Sequence, residues 1–179
     1  RSSIVTILAL HGGGIEPATT ELAYTIAHCG DYNYFSFKGM RSKGNNELHV
    51  TSTHYDDQIA LDLVRGSQRT VAIHGCEGNE SVAYIGGSDD RLIELITESL
   101  EDIGISVREA PHHISGTQEN NIVNMTQTQG GVQLELTAQL RKELFKNRKS
   151  SRKNRENKDN WDDLMYDFAD AMKKAIERA

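Results

Sequence analysis

Three side chains of this chain stand where they could share one ligand. His11 and Glu16 bound a glycine loop, His11-Gly12-Gly13-Gly14-Ile15-Glu16, that follows the apolar run from Ile4 to Leu10. His74 stands in a similar setting, after Thr70-Val71-Ala72-Ile73 and before Gly75. A buried strand that discharges into a glycine loop presents its next side chains where open α/β sheets bind ligands. Two imidazoles and one carboxylate form a donor set of catalytic zinc, which keeps a further position for water. Chemistry of that kind polarises a carbonyl and brings the pKa of a water molecule down to about 7.

Other uses of the loop fit less well. Gly12-Gly13-Gly14 matches neither the dinucleotide fingerprint nor the P-loop. An HGGG segment also forms the oxyanion hole of some esterases, but no G-x-S-x-G nucleophile elbow occurs in the sequence. Hydrolysis by a metal site needs a general base, and Val132-Gln133-Leu134-Glu135-Leu136 offers one. Its alternation puts Val132, Leu134 and Leu136 on one face, with Gln133 and Glu135 on the other. Glu135 is far in sequence from the ligand candidates and so free to sit across a cleft from them. Cys29 and Cys76 form neither a C-x-x-C motif nor a disulfide framework and read as reduced, half-buried thiols.

These residues need a sheet to hold them. Thr19 or Thr20 is expected to cap a helix with Leu22, Ala23, Ile26 and Ala27 on one face, ending near Gly30. Strands are expected over 32–37, 48–53, 70–73, 82–85, 105–109 and 132–136. A short helix starts at Asp56-Asp57 and ends at Gly66; a longer one opens at Asp89-Asp90 and carries Leu92, Ile93, Leu95, Ile96 and Leu100. A long polar loop, 110–131, is the kind of segment that carries substrate contacts. Trp161, Leu164, Met165, Phe168, Met172 and Ile176 recur at helical spacing and predict an amphipathic helix that covers the sheet. Strands alternating with helices give a three-layer α/β fold with a mixed, mostly parallel sheet flanked by helices.

Composition sets the limits. The chain has 179 residues, 37% hydrophobic and 26% charged, enough for one sizeable core. No stretch approaches the roughly 18 apolar residues of a membrane span, and no signal peptide precedes Ile4, so a soluble protein is expected. Arg1 stands just before the first strand, and an N-terminal piece is expected to have been removed. Charge is uneven: 141–158 holds nine Lys or Arg against Glu143 and Glu156, on a chain of net charge −6. The basic part, 146–158, reads either as a flexible, solvated linker before the last helix or as a patch attracting a polyanion. It lacks the interleaved aromatics of a base-stacking surface, so nucleic acid is not the expected partner.

Four segments, HGGGIEP (11–17), GNNELHVTSTH (44–54), AIHG (72–75) and GGVQLEL (130–136), together resemble the poly-γ-glutamate hydrolase family of bacteriophages and Bacillus-type bacteria. That family is itself similar to a reduced zinc carboxypeptidase, and the resemblance runs to about Arg141. It implies a single zinc-hydrolase domain over 1–179 that cuts γ-glutamyl amide bonds of a polymer with one Zn2+. His11, Glu16 and His74 match the family's metal ligands, and Glu135 matches the catalytic glutamate of the carboxypeptidase pattern. Digestive carboxypeptidases add an Asn-Arg pair for the terminal carboxylate and a mobile Tyr. Here Asn147-Arg148 and Asn154-Arg155 fall in the basic run instead, a departure compatible with internal cleavage.

A polymer with a carboxylate on every unit calls for Arg or Asn donors around the cleft. Arg91, Arg141, Asn45, Asn46 and Asn121 are the substrate-binding candidates, each with a plain alternative as a surface or turn residue. Action inside the cell and action after lysis both remain open. Two competing functions use the same observations differently. A deacylase of a small N-acyl amino acid would use the same site in a narrow pocket. A nucleic-acid-binding accessory protein would rest on the basic run alone.

Overall fold

The computed structural model describes residues 4–179; Arg1, and the expectation about what preceded it, lie outside them. In chain order the elements are β1 (Val5–Gly13), α1 (Thr19–Gly30), β2 (Asn33–Gly39), α2 (Gln58–Arg65), β3 (Arg69–Cys76) and β4 (Val82–Gly87). There follow α3 (Asp90–Asp102), β5 (Ser106–Glu109), β6 (Val132–Thr137), α4 (Ala138–Glu143), α5 (Arg152–Arg155) and α6 (Asp163–Arg178). The strands form one six-stranded sheet in the order β2-β1-β3-β6-β4-β5. All neighbours are parallel except β4 and β6, so the sheet is mixed and mostly parallel, as the alternation of strands and helices predicts.

Strand alternation sorts the core into two layers. Val5, Ile7 and Ala9 of β1, Val71 and Ile73 of β3, and Val132, Leu134 and Leu136 of β6 pack with α1, α3 and α6. On the other face Leu8, Leu10 and Ala72 meet Ala60 and Val64 of α2 and Ile122 and Val123 of the long loop. Every residue of β6 is buried, because both faces of that strand are covered. Acidic caps open both long helices. Asp89 accepts from Leu92 N at the head of α3, and Asp162 accepts from Leu164 N at the head of α6.

Four expectations change. The segment 48–53 is not a strand: 3-10 turns at Asn45–Leu48 and Ser52–His54 bracket it, and Val50 is 42% exposed, so its alternation has no core to bury. The cap of α1 is Ala18, at φ 85°, and not a threonine. Thr19 Oγ1 donates instead to Glu16 O (2.8 Å), and Thr20 Oγ1 accepts from Gly13 N (3.0 Å), so both hydroxyls brace the glycine loop. Trp161 precedes α6, pairing across an isolated bridge with Phe145.

The basic segment is folded, not a flexible linker. Arg155 is buried, donating to Ser150 O (2.6 Å) and Gly13 O (3.4 Å), and Trp161 Nε1 donates to Arg155 O (2.8 Å). Arg152 pairs with Glu156 at 2.7 Å, and Lys146 Nζ donates to Asp159 O. Local charge density marks this stretch as solvated; long-range contacts with the glycine loop order it. Among the described residues no helix is long and apolar enough to cross a membrane.

Candidate active site

The site forms where β1, β3 and β6 end together. In β3 and β6, which run side by side, His74 is the register partner of Glu135. Alternation therefore puts both on the face opposite Ile73 and Leu134. His11 needs more than alternation, which would send it to the face of Ile7 and Ala9. Pairing with β2 slips between Ala9 and Gly12, where β1 carries an extra residue, and a bulge of this kind re-aims a side chain. Glu16 returns to the same point because its amide donates to His11 O (2.8 Å), closing the glycine loop.

The donor atoms converge. His11 Nδ1 lies 3.0 Å from Glu16 Oε1 and 3.1 Å from His74 Nδ1, and His74 Nδ1 lies 3.6 Å from Glu16 Oε2. Tetrahedral zinc bonds of about 2.0–2.1 Å put neighbouring donor atoms roughly 3.3 Å apart, so this spacing suits one such ion. The tautomer fits as well. His11 Nε2 donates to Val50 O at 2.7 Å, which leaves the Nδ1 lone pair facing the other two donors. Two Nδ1 atoms this close require one proton, or a cation in its place, between them. His74 Nε2 is buried and has no hydrogen-bond partner among the described residues, so the ring interacts through Nδ1.

Ionisation follows the same geometry. Burial alone would raise the Glu16 carboxyl, but hydrogen bonds and positive charge from His11 and His74 outweigh it and hold it well below the usual carboxylate range. Burial disfavours protonation of His74, yet Glu16 and Glu135 overcome that effect and raise its pKa. For Glu135 burial outweighs the opposing pull of His74, His11 and the Gln133 hydrogen bond, and pushes the carboxyl up to about 7. A carboxyl near neutrality can both accept and return a proton.

His49, from the segment expected as a strand, completes the cluster. Its ring stacks on His11 at 3.8 Å, and its Nε2 lies 3.5 Å from Glu16 Oε1. His11, Glu16 and His49 thus also form a group that could hold a metal ion. His74 is buried, with Nδ1 3.1 Å from His11 Nδ1 and 3.6 Å from Glu16 Oε2, whereas the His49 side chain is 45% exposed, at the mouth of the site.

The substrate-binding candidates divide. Arg91 lies away from the site: β4 runs against β6, pairing Gly87 with Val132, so the helix after β4 begins at the opposite end of the sheet. It is exposed and pairs with Glu94. Asn45 serves its own turn, bonding Arg41 N and Arg41 O. Asn46 is exposed beside His49 and Arg141, on the wall of a 710 Å³ cleft. Asn121 does reach the site but is buried, with Nδ2 donating to Gln133 Oε1 (3.2 Å) and Oδ1 accepting from Val123 N.

Arg141 is also buried, and its guanidinium ties the three strand exits together. It donates to Leu136 O (3.1 Å), Pro17 O (3.0 Å) and Cys76 O (3.0 Å), each one or two residues beyond Glu135, Glu16 or His74. Gly75 permits this, since a Cβ there would lie 2.7 Å from Arg141 Cζ. Residue types alone did not single out His49, Gln133 or His113, which lines the 330 Å³ cavity over Glu135. The available signal for Gln133 was a polar side chain sharing the face of Glu135 in an otherwise apolar strand.

A mixed α/β sheet whose strand ends gather a His/Glu cluster that could hold a metal ion, beside a carboxyl that burial pushes towards neutrality, defines a candidate hydrolase. The chain belongs to the poly-gamma-glutamate hydrolase family, whose family model matches residues 1–171. A bacteriophage poly-gamma-glutamate hydrolase superposes with a TM-score of 0.93 at 32% identity, over 99% of this chain and 84% of that one. A zinc-free structure of YndL gives a TM-score of 0.90 at 30% identity, covering 99% and 87% of the two chains. The SPbeta prophage-derived protein YoqZ of Bacillus subtilis is 39% identical over 143 residues, 79% of this chain. The chain spans 52% of the length of YoqZ and 57% of that of the Bacillus subtilis protein YndL, little more than half of these curated relatives.

Proposed function

We infer that this protein is a zinc-dependent hydrolase that cuts γ-glutamyl amide bonds within poly-γ-glutamate. The observation that carries the reading is the convergence of His11 Nδ1, Glu16 and His74 Nδ1 one strand from Glu135. His11, Glu16 and His74 would hold one Zn2+, which when bound supplies Lewis-acid polarisation of the scissile carbonyl and acidifies water. Glu135 accepts the proton of the attacking water and delivers it to the departing amine, a double duty suited to a carboxyl near neutrality. His49, stacked on His11, covers one side of the cluster.

The surroundings favour an extended anionic substrate over a small acyl amino acid. Glu16, His49, Gly75 and Cys76 line both the 330 Å³ cavity over Glu135 and the 710 Å³ cleft beside Arg141, so a chain could cross the centre from one to the other. Arg141 spends three of its five N–H groups on backbone carbonyls and retains two for a substrate carboxylate, with Asn46 nearby. Support for a nucleic-acid role weakens, because the basic segment on which it rests is folded and partly neutralised by its own ion pairs.

Metal analysis of purified protein, together with the viscosity of a poly-γ-glutamate solution, tests this reading. One zinc per chain and a rapid fall in viscosity are expected, and both should vanish in His11→Ala/His74→Ala. A full complement of zinc in that double variant refutes the ligand assignment; undiminished viscosity with zinc-loaded parent protein refutes the substrate.

A further inference from the structure

Glu135 is not held by the metal ligands but by a chain of side-chain amides. Gln133 Nε2 donates to Glu135 Oε1 at 3.0 Å and to Ile114 O at 3.1 Å, while Gln133 Oε1 accepts from Asn121 Nδ2 at 3.2 Å. All three side chains are buried, at 3% exposure for Asn121, 5% for Gln133 and 7% for Glu135. Such a chain has a direction. An amide can present either its oxygen or its NH2 to a neighbour, and Asn121 and Ile114 together decide which: the Asn121 oxygen is committed to Val123 N (3.1 Å) and leaves NH2 for Gln133, while Ile114 O can only accept. Gln133 must then offer its oxygen to Asn121 and its NH2 to Glu135.

The long loop is shaped to this arrangement. Gly116, at φ +65°, lies against Gln133, and a Cβ there would come within 2.9 Å of Gln133 Oε1. Asn124 fixes the same stretch by donating to Gly116 O (2.7 Å) and Gln118 O (3.0 Å). The loop 110–131 therefore supplies the second layer of the site as well as a wall of its cavity.

We propose that Gln133, oriented by Asn121, is a positioning residue that fixes the Glu135 carboxylate for proton transfer. The proposal rests on the reading of Glu135 as general base. Gln133 engages one carboxylate oxygen, so the group cannot swing about its last torsion and the other oxygen keeps one place relative to the attacking water. Misplacement by even an ångström is costly in such a transfer.

The test uses zinc-loaded full-length protein and the release of new amino groups from poly-γ-glutamate. Gln133→Met keeps length and bulk without the amide and should lower kcat roughly 10–100-fold, with KM and zinc content unchanged. Placed on top of Glu135→Gln, the same change should cost nothing more, because the carboxylate it positions is gone. An equal loss in both backgrounds, or one carried by KM or by zinc content, overturns the proposal. Asn121→Asp gives an independent arm should Gln133→Met fold poorly. It keeps the acceptor for Val123 N but sets a carboxylate oxygen against Gln133 Oε1, so the amide loses its donor on that side, is held only through Ile114 O and Glu135, and kcat should again fall alone; full activity here overturns the role given to Asn121 in the proposal. Near-normal turnover of Glu135→Gln by itself overturns the general-base reading and this proposal with it, a result distinct from a silent Gln133.

Discussion

His74 and Glu135 are register partners on neighbouring parallel strands, so the imidazole of one and the carboxylate of the other project from the same face of the sheet, one strand apart. The proposed metal ligand and the proposed base are thus spaced by the sheet itself, a rigid element. A change in one side chain should leave the place of the other intact.

That separation predicts the behaviour of Glu135→Gln. The substitution preserves size and removes the proton acceptor, so turnover should fall by roughly 10²–10⁴-fold while fold and zinc content persist. Zinc analysis beside turnover decides the matter. Lost zinc would make Glu135 a ligand, and retained turnover would leave it an ordinary strand carboxylate.

Burial raises the Glu135 carboxyl from 4.5 to about 7, an effect His74 only partly opposes. With its folded value above its unfolded one, the neutral acid stabilises the fold fully below about pH 4.5, and this contribution is lost as pH rises through about 7. Glu135→Gln cannot ionise and escapes that loss. After chelation, denaturant midpoints of variant and parent should diverge in favour of the variant between about pH 5 and about pH 8. A gap that is constant over that window means the carboxyl titrates at an ordinary value.

Arg141 makes three backbone hydrogen bonds in a fork that no lysine can reproduce. Arg141→Lys should therefore cost about 1.5–3 kcal/mol, the scale of hydrogen bonds to a charged group, and lower zinc retention by loosening three strand exits. Gly75→Ala should act in the same direction by displacing the guanidinium. Denaturant midpoints equal to that of the parent would mean the exits hold without the clamp.

The basic segment contains two kinds of cation. Lys149 and Lys153 are exposed, whereas Arg155 is buried 3.5 Å from Glu21, whose carboxyl burial raises. Neutralising the two lysines should reduce kcat/KM on the polymer at low ionic strength, with little effect on kcat or at high salt. Arg155→Gln should instead destabilise the fold, by roughly 3 kcal/mol, since Glu21 stays buried without its partner. If the lysine variant loses kcat at saturating polymer, the segment takes part in the chemistry; an unchanged thermal midpoint for Arg155→Gln would remove its structural role.

Much of the site was legible in the order of residues. The apolar runs before His11 and His74 mark buried strands, and a strand followed by glycine has few places to put its next side chain. Gln133 and Glu135 share a face because alternation is a property of any extended chain. Asp89 announces its helix by local hydrogen bonding. Each of these features is settled by residues a few positions apart.

What the sequence leaves undetermined depends on partners far along the chain. Arg91 follows a glycine pair after a strand, much as His74 precedes a glycine, yet the antiparallel pairing of β4 with β6 carries it to the other end of the sheet. His11 faces His74 only through a bulge whose register belongs to β2 as much as to β1. Asn121 and Arg141, both chosen as free donors for a substrate, are largely consumed by Gln133 and by three carbonyls up to 124 residues away. The segment that charge density marks as solvated is anchored through Arg155 to Gly13. Local pattern determines which side chains leave a strand and on which side. Strand direction, register and the hydrogen-bond partners of buried polar groups are long-range choices, made when the sheet closes, because only then does a buried donor find the acceptor it needs.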